Sequence, residues 1–229
     1  MLLFWIALYG AVFSVSDRLA ALGREGTLFA VALMVSYPVC LIGWLVKSGR
    51  HRVLGLSVPV ITDRQSSGLL LCLLVLPVFN LATVSSWKMD GVQAVTLICV
   101  SVAEELFFRG FLLHHLSRKI GDASPWISSC VFALAHVVNL ACAVTAESML
   151  LQVLCAFAVG IYYSAVVLRF GSILPCMAAH VLVNLSAGTS LSRPSAMETA
   201  GLLLCGAVYF RCGARLLRQT NITCEETEK

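Results

Sequence analysis

The chain has 229 residues, of which 59% are hydrophobic and only 12% are charged, with a formal net charge of +4. A soluble domain carries roughly 25% charged residues, so this composition excludes an ordinary water-soluble domain. No basic run is interleaved with aromatic residues, and a nucleic-acid partner is therefore not expected.

Long apolar stretches follow one another along the chain, and a membrane-spanning helix needs about 20 mostly apolar residues. Eight stretches meet this requirement: Leu2–Ala21, Thr27–Val46, Gly68–Trp87, Gly91–Leu116, Ser124–Ala141, Ser148–Leu168, Ser172–Thr189 and Thr199–Leu217. The first has no basic region before it and no convincing cleavage site after it, so we predict a retained span and not a signal peptide. Short connections favour a single transmembrane domain over residues 1–229. The predicted fold is an all-α, polytopic bundle of about eight transmembrane helices within the lipid bilayer.

Lysine and arginine residues predict the orientation of this bundle. If the loop after the second span is cytoplasmic, eleven of them lie inside and four outside, with Arg109 left within a span. Loops rich in these residues stay on the cytoplasmic side. Both termini are therefore predicted to be cytoplasmic, and the compact chain with short loops indicates a bacterial inner membrane.

The fourth predicted span contains three ionisable residues at membrane depth, with Glu104 next to Glu105 and Arg109 four residues further on. Charge at the bilayer centre is costly, so such residues are functional candidates by default. Glu105 and Arg109 share a helix face and are predicted to pair. Glu104 is rotated by about 100° from Glu105 and can face another part of the bundle. An inert buried ion cluster is the structural alternative.

Two further spans carry polar residues. His136 follows Phe132 by four residues in the fifth span, and His180 and Asn184 share a helix face in the seventh. At about 1.5 Å per residue from the predicted cytoplasmic ends, these polar groups and Glu104 lie roughly 12 to 20 Å deep. Their convergence would form a catalytic constellation or a metal site.

Such a set of residues could hydrolyse a peptide bond. Glu104 with His136 could activate water by taking its proton. His180 with Asn184 could donate hydrogen bonds to the oxyanion that forms. The Glu–Arg pair of the fourth span would then support the helix and its electrostatics.

Zinc is an alternative, with Glu104, His136 and His180 as ligands, because two histidines, a carboxylate and water form a known catalytic zinc set. The sequence contains no HExxH motif, which favours metal-free catalysis without a cofactor. No GxSxG motif supports a serine nucleophile. A proton-coupled carrier also places Glu, His and Arg at the midplane, but no inverted repeat or matched pair of broken helices supports that function.

Three motifs occur in order: Glu104-Glu105-x-x-x-Arg109, Phe132-x-x-x-His136 and His180-x-x-x-Asn184. Together they resemble the CAAX protease and bacteriocin-processing (CPBP) family of intramembrane proteases, which includes the Ras-converting CAAX endopeptidase. The resemblance extends over about Thr96–Gly188, within a predicted catalytic core of about residues 92–189.

This resemblance implies an eight-helix, glutamate-dependent intramembrane protease. The catalytic residues would be Glu104, His136, His180 and Asn184. The supporting residues would be Glu105, Arg109 and Phe132. The substrate would be a membrane-anchored or lipidated protein or peptide, cut in CAAX-like processing, bacteriocin processing or removal of a C-terminal sorting signal. The alternative to a protease among such relatives is a non-catalytic bacteriocin-immunity protein.

Overall fold

The computed structural model describes residues 8, 11–12, 15–16, 24–49, 54–59, 64–83, 89–137, 145–187 and 195–220. Within these residues the chain forms α-helices and no strand. The helices are α1 Arg24–Lys47, α2 Arg64–Leu71, α3 Val75–Thr83, α4 Gly91–Glu105, α5 His114–Ile120, α6 Ser124–Ala135, α7 Ala146–Phe170, α8 Leu174–Ala187 and α9 Ala196–Arg218. A 3₁₀ segment, Cys72–Leu74, joins α2 to α3, a π-helix, Leu106–Leu113, joins α4 to α5, and a 3₁₀ turn, Gly121–Ala123, joins α5 to α6.

Several of these helical segments are suited to a membrane. Four are long and apolar enough to cross one: Glu25–Lys47, Gly91–Ala135, Ala146–Phe170 and Ala196–Arg218. Two apolar helices are shorter, Gly68–Thr83 and Leu174–Ala187. The predicted all-α polytopic membrane protein is thereby confirmed. Most of the first predicted span, Leu2–Ala21, lies outside the described residues.

The stretch Gly91–Ala135 contains the fourth predicted span and most of the fifth. Gly121 separates them with a φ of 50°, in the left-handed region that glycine adopts at little cost. After this turn α6 packs back against the π-helix. The stretch is therefore a hairpin of two helices, as the sequence predicted.

The described part of the helix α8 has 14 residues, or about 21 Å at 1.5 Å per residue. Its start is fixed by the segment 54–59. The N–H of Ile173 donates to the carbonyl of Gly55 at 2.9 Å, and the hydroxyl of Ser172 donates to the carbonyl of Ser57 at 2.5 Å. Part of the loop predicted between the second and third spans thus holds one end of the helix that carries His180.

The break between α2 and α3 is stabilised by tyrosine hydroxyl groups. Pro77 has no N–H, so the carbonyl of Leu73 lacks its usual helical donor. The hydroxyl of Tyr209 donates to that carbonyl at 3.0 Å and accepts from the N–H of Leu76 at 3.2 Å. Tyr162 donates in the same way to a carbonyl one turn earlier. Irregular backbone at membrane depth requires such internal partners.

The helix α7 lies at the centre of the bundle. In its apolar 18-residue stretch, 56% of the residues are buried within the protein. The corresponding share is 28% for Glu25–Lys47 and for Ala196–Arg218. Neighbouring helices approach it closely where one partner lacks a side chain. A Cβ atom at Gly160 of α7 would lie 2.9 Å from the Cβ atom of Ser129 in α6. Close packing through small residues is a common way for helices to associate in membranes.

Gly213→Ala should destabilise the protein, because its Cβ atom would lie 2.9 Å from the backbone nitrogen and Cα of Tyr162 in α7. Overpacking of this kind costs about 1–3 kcal/mol. The matched control on α9 is Gly206→Ala, where the nearest atoms would be 3.9 Å away. Thermal unfolding in detergent should show a lower midpoint for Gly213→Ala only. An unchanged midpoint for that variant would contradict the close approach of α9 to α7.

Candidate active site

The site lies where α4, the π-helix, α6 and α8 meet, and α4 packs directly on α8. Glu104 and Glu105 are the last two residues of α4, Arg109 lies in the π-helix, and His136 follows α6 directly. Both His180 and Asn184 lie in α8. A π-helix is an uncommon local structure that is frequent at functional sites. Here it begins immediately after the paired glutamates.

Glu105 is the centre of the polar network and is completely buried. Its Oε1 accepts a hydrogen bond from Nη1 of Arg109 at 2.9 Å and another from Nδ1 of His180 at 2.8 Å. The i, i+4 spacing predicted the first contact, but the contact between helices was not predicted. One buried carboxylate thus joins α8 to the helix that carries both glutamates.

The guanidinium group of Arg109 is held between a carboxylate and two aromatic rings. Its Cζ lies 4.0 Å from the ring centroid of Phe132 and 5.4 Å from that of Tyr163. These distances are within the range of a cation–π interaction. Tyr163 is fully buried and was missed by the sequence analysis, since nothing in the sequence distinguishes it from its apolar neighbours in α7.

His180 lies between the two glutamates. A carboxylate accepts hydrogen bonds, so Nδ1 of His180 donates its proton to Glu105. Its other nitrogen, Nε2, lies 3.6 Å from Oε2 of Glu104. The side chains of His180 and Glu104 are 10% and 14% exposed, whereas that of Glu105 is not exposed. Nε2 and Glu104 therefore form the partly accessible side of the network.

His136 is oriented by the backbone of its own helix. Its Nδ1 lies 2.9 Å from the carbonyl oxygen of Phe132, and because a carbonyl can only accept, Nδ1 carries the proton. The neutral ring then keeps a lone pair on Nε2, which can act as acceptor or base. The ring of Phe132 packs edge-to-face on His136 at 4.8 Å and on His180 at 6.0 Å. Phe132 thus lies between the two histidines.

Asn184 joins the site through a serine. Its Nδ2 donates to Oγ of Ser101 at 2.9 Å, and the Ser101 hydroxyl donates to the carbonyl of Leu97 at 2.7 Å. Ser101 was not predicted from the sequence. Its position, one turn before the paired glutamates, was the signal that could have identified it, since residues three and four apart share a helix face.

The structure therefore brings the predicted residues together in three ways. Glu105 contacts Arg109 and His180 directly, and His180 lies next to Glu104. Phe132 connects His136 to this group, and the α4 serine connects the asparagine. The predicted division into a Glu104–His136 pair and a His180–Asn184 pair did not anticipate that His180 lies between both glutamates.

The donor groups of the site bear on the zinc alternative. Within the described residues, no group of three or more His, Cys, Asp or Glu side chains is spaced to hold a metal ion. In this conformation His180 uses one ring nitrogen for Glu105 and directs the other toward Glu104. A zinc site of Glu104, His136 and His180 thus stays a prediction that requires its own test.

Arg109→Met should strongly destabilise the protein, because Glu105 would keep its buried charge without its cationic partner. Removing one partner of a buried ion pair costs about 3–5 kcal/mol. The matched control is Arg169→Met at the exposed end of α7, which should leave the unfolding midpoint nearly unchanged. If both variants unfolded at the wild-type temperature in detergent, the pair would not be a major structural contact.

The comparisons with known proteins give one match. Residues 90–186 match the family model described as type II CAAX prenyl endopeptidase Rce1-like. This segment contains all the site residues predicted from the sequence, from Glu104 to Asn184, and the match confirms the predicted family. The search of curated proteins and the search of solved structures found no match.

Proposed function

Because residues 90–186 belong to the type II CAAX prenyl endopeptidase Rce1-like family, we propose that this protein is an intramembrane protease of the glutamic type. Its substrate is a membrane-anchored or lipidated protein or peptide. The cut is of the kind made in CAAX-like processing, bacteriocin processing or removal of a C-terminal sorting signal. No cofactor takes part in the proposed reaction.

One observation carries this proposal: two adjacent carboxylates meet the imidazole of His180 inside an apolar bundle. Oε1 of Glu105 lies 2.8 Å from Nδ1, and Oε2 of Glu104 lies 3.6 Å from Nε2. Burying ionisable groups in a membrane is costly, so a purely structural bundle would have little use for this arrangement. Glu105 is completely buried and pairs with Arg109, whereas the Glu104 side chain is 14% exposed, so we assign the chemistry to Glu104.

The proposed reaction is a direct attack by water. Glu104 takes one proton from the water molecule while the water oxygen forms a bond to the carbonyl carbon of the substrate. Nε2 of His136 accepts the second water proton in a hydrogen bond and orients the attack. The proton on Glu104 then passes to the departing amine nitrogen as the C–N bond breaks.

The negative charge that develops on the carbonyl oxygen needs donors. Asn184 offers an N–H of its amide, and His180 offers Nε2–H when its ring is protonated. A ring that donates from both nitrogens is positively charged, and Glu105 is the counterion at Nδ1. Glu105 is therefore assigned the role of holding and neutralising His180, Arg109 holds Glu105 in turn, and neither is assigned a contact with the substrate.

Glu104→Gln should abolish cleavage without unfolding the protein, since it keeps the side-chain volume and removes the base. General-base catalysis contributes about 10²–10⁴-fold, which sets the expected loss. The measurement is cleavage of a quenched fluorescent farnesylated peptide ending in a CAAX sequence by purified protein in liposomes. Glu147→Gln, on the exposed first turn of α7, is the matched control and should retain activity. Wild-type cleavage by folded Glu104→Gln would refute the assigned role.

The variants His136→Ala and His180→Ala are expected to be inactive in the same assay.

Removal of metal ions should leave the cleavage rate unchanged within about twofold, because water activation is assigned to side chains alone. The same liposome assay, run after dialysis against a strong zinc chelator, checks this. Loss of cleavage that returns on addition of Zn²⁺ would instead establish the zinc version of the enzyme, with Glu104, His136 and His180 as candidate ligands.

If the protein were a non-catalytic carrier or immunity protein, Glu104→Gln would have a different outcome. Transport, or protection of the host from a bacteriocin, would persist in folded Glu104→Gln. A protease would lose any phenotype that depends on cleavage.

The cellular setting is part of the proposal. The chain is an integral membrane protein, and we assign it to a bacterial inner membrane with both termini in the cytoplasm. The support for this orientation is the excess of lysine and arginine residues assigned to the inside, eleven against four.

A further inference from the structure

Ser101 lies outside the three sequence motifs and is fully buried. Its hydroxyl donates to the carbonyl of Leu97, four residues earlier in α4, at 2.7 Å. A hydroxyl has only one proton to donate. The oxygen of Ser101 therefore presents only lone pairs to its other neighbour, Asn184.

The hydrogen bond from Ser101 to Leu97 determines which end of the Asn184 amide faces α4. The NH₂ group can donate to the lone pairs of Ser101, and it does so at 2.9 Å. The opposite orientation would place the amide oxygen against the hydroxyl oxygen, two acceptors without a proton between them. Ser101 is fully buried, and an unpaired contact against its hydroxyl is costly there. The amide is thus held in one of its two orientations, with its second N–H left for another acceptor.

We propose that Ser101 is a positioning residue of the active site, which acts only through Asn184 and aims the second amide N–H at the oxyanion. The inference rests on the proposed function. Ser101 and the general base Glu104 are three residues apart on α4, so they lie on nearly the same helix face. A single helix would then set both the position of the attacking water and the direction of an oxyanion donor in α8.

A double-mutant cycle tests this role directly. Asn184→Ala should lower kcat by about 10²–10³-fold, the usual effect of removing one oxyanion donor. Ser101→Ala should lower kcat by about tenfold with KM unchanged, since a loosely held donor still stabilises the oxyanion in part. The combined variant should match Asn184→Ala within about twofold, because contacting residues that act as one unit are not additive.

A second serine of the same kind provides the control. Ser129 in α6 is buried and donates to the carbonyl of Pro125, four residues earlier, at 2.6 Å. Ser129→Ala removes the same type of hydrogen bond without touching the site, and its cleavage rate should stay close to that of the wild type. Additive losses for Ser101→Ala and Asn184→Ala, or a wild-type rate for Ser101→Ala, would overturn the inference while leaving the proposed protease intact.

A measurement that does not depend on activity separates the two proposals. In protein isotope-labelled only at asparagine nitrogen, the NMR signals of the Asn184 amide are identified by their loss in Asn184→Ala. Ser101→Ala should shift these signals and leave those of Asn80, whose amide donates to the Val183 carbonyl and to Ser186, unchanged. Unchanged Asn184 signals would overturn the positioning role. Normal cleavage by Glu104→Gln would instead overturn the proposed function, and the amide spectrum would still decide the role of Ser101.

Discussion

Glu105 could not remain buried inside a membrane bundle as an isolated carboxylate, because the cost of removing its charge from water would exceed what packing returns. It is stabilised by two partners, Arg109 in the π-helix and His180 in α8. Each partner in turn depends on Glu105 for its own orientation. Both partners contact the same atom, Oε1 of Glu105, and this fixes α8 against α4. The positions of Glu104 and Asn184 follow from that register.

The rest of the bundle supports this contact from a distance. The segment 54–59 holds the start of α8, and Asn80 of α3 donates to the carbonyl of Val183 and to Ser186 in a later turn of the same helix. The central α7 supplies Tyr163 beneath Arg109. These protein contacts hold α8 at its start and in a later turn.

The sequence was sufficient for the features that depend on local spacing. Apolar runs predicted the helices, and the i, i+4 rule predicted the contact of Glu105 with Arg109. The contact of Glu105 with His180 could not be predicted, because it depends on how deep α8 sits relative to α4. Two other contacts could not be predicted either: that of the Tyr209 hydroxyl at the Pro77 break and that of the Tyr163 ring with Arg109. They are supplied by helices remote in sequence, and their residue types are common in apolar spans.

The central claim is that this buried network of carboxylates and histidines makes water the nucleophile for peptide hydrolysis. The most direct test incubates wild-type protein and His180→Ala in liposomes with a farnesylated CAAX-ended peptide in the presence of hydroxylamine, followed by mass spectrometry of the fragments. Attack by water held in the site should give a wild-type fragment that ends only in a carboxyl group, and His180→Ala should give no fragment. A hydroxamate at the new end, which marks a covalent acyl-enzyme intercepted by hydroxylamine, or equal cleavage by folded His180→Ala protein, would contradict direct attack by water.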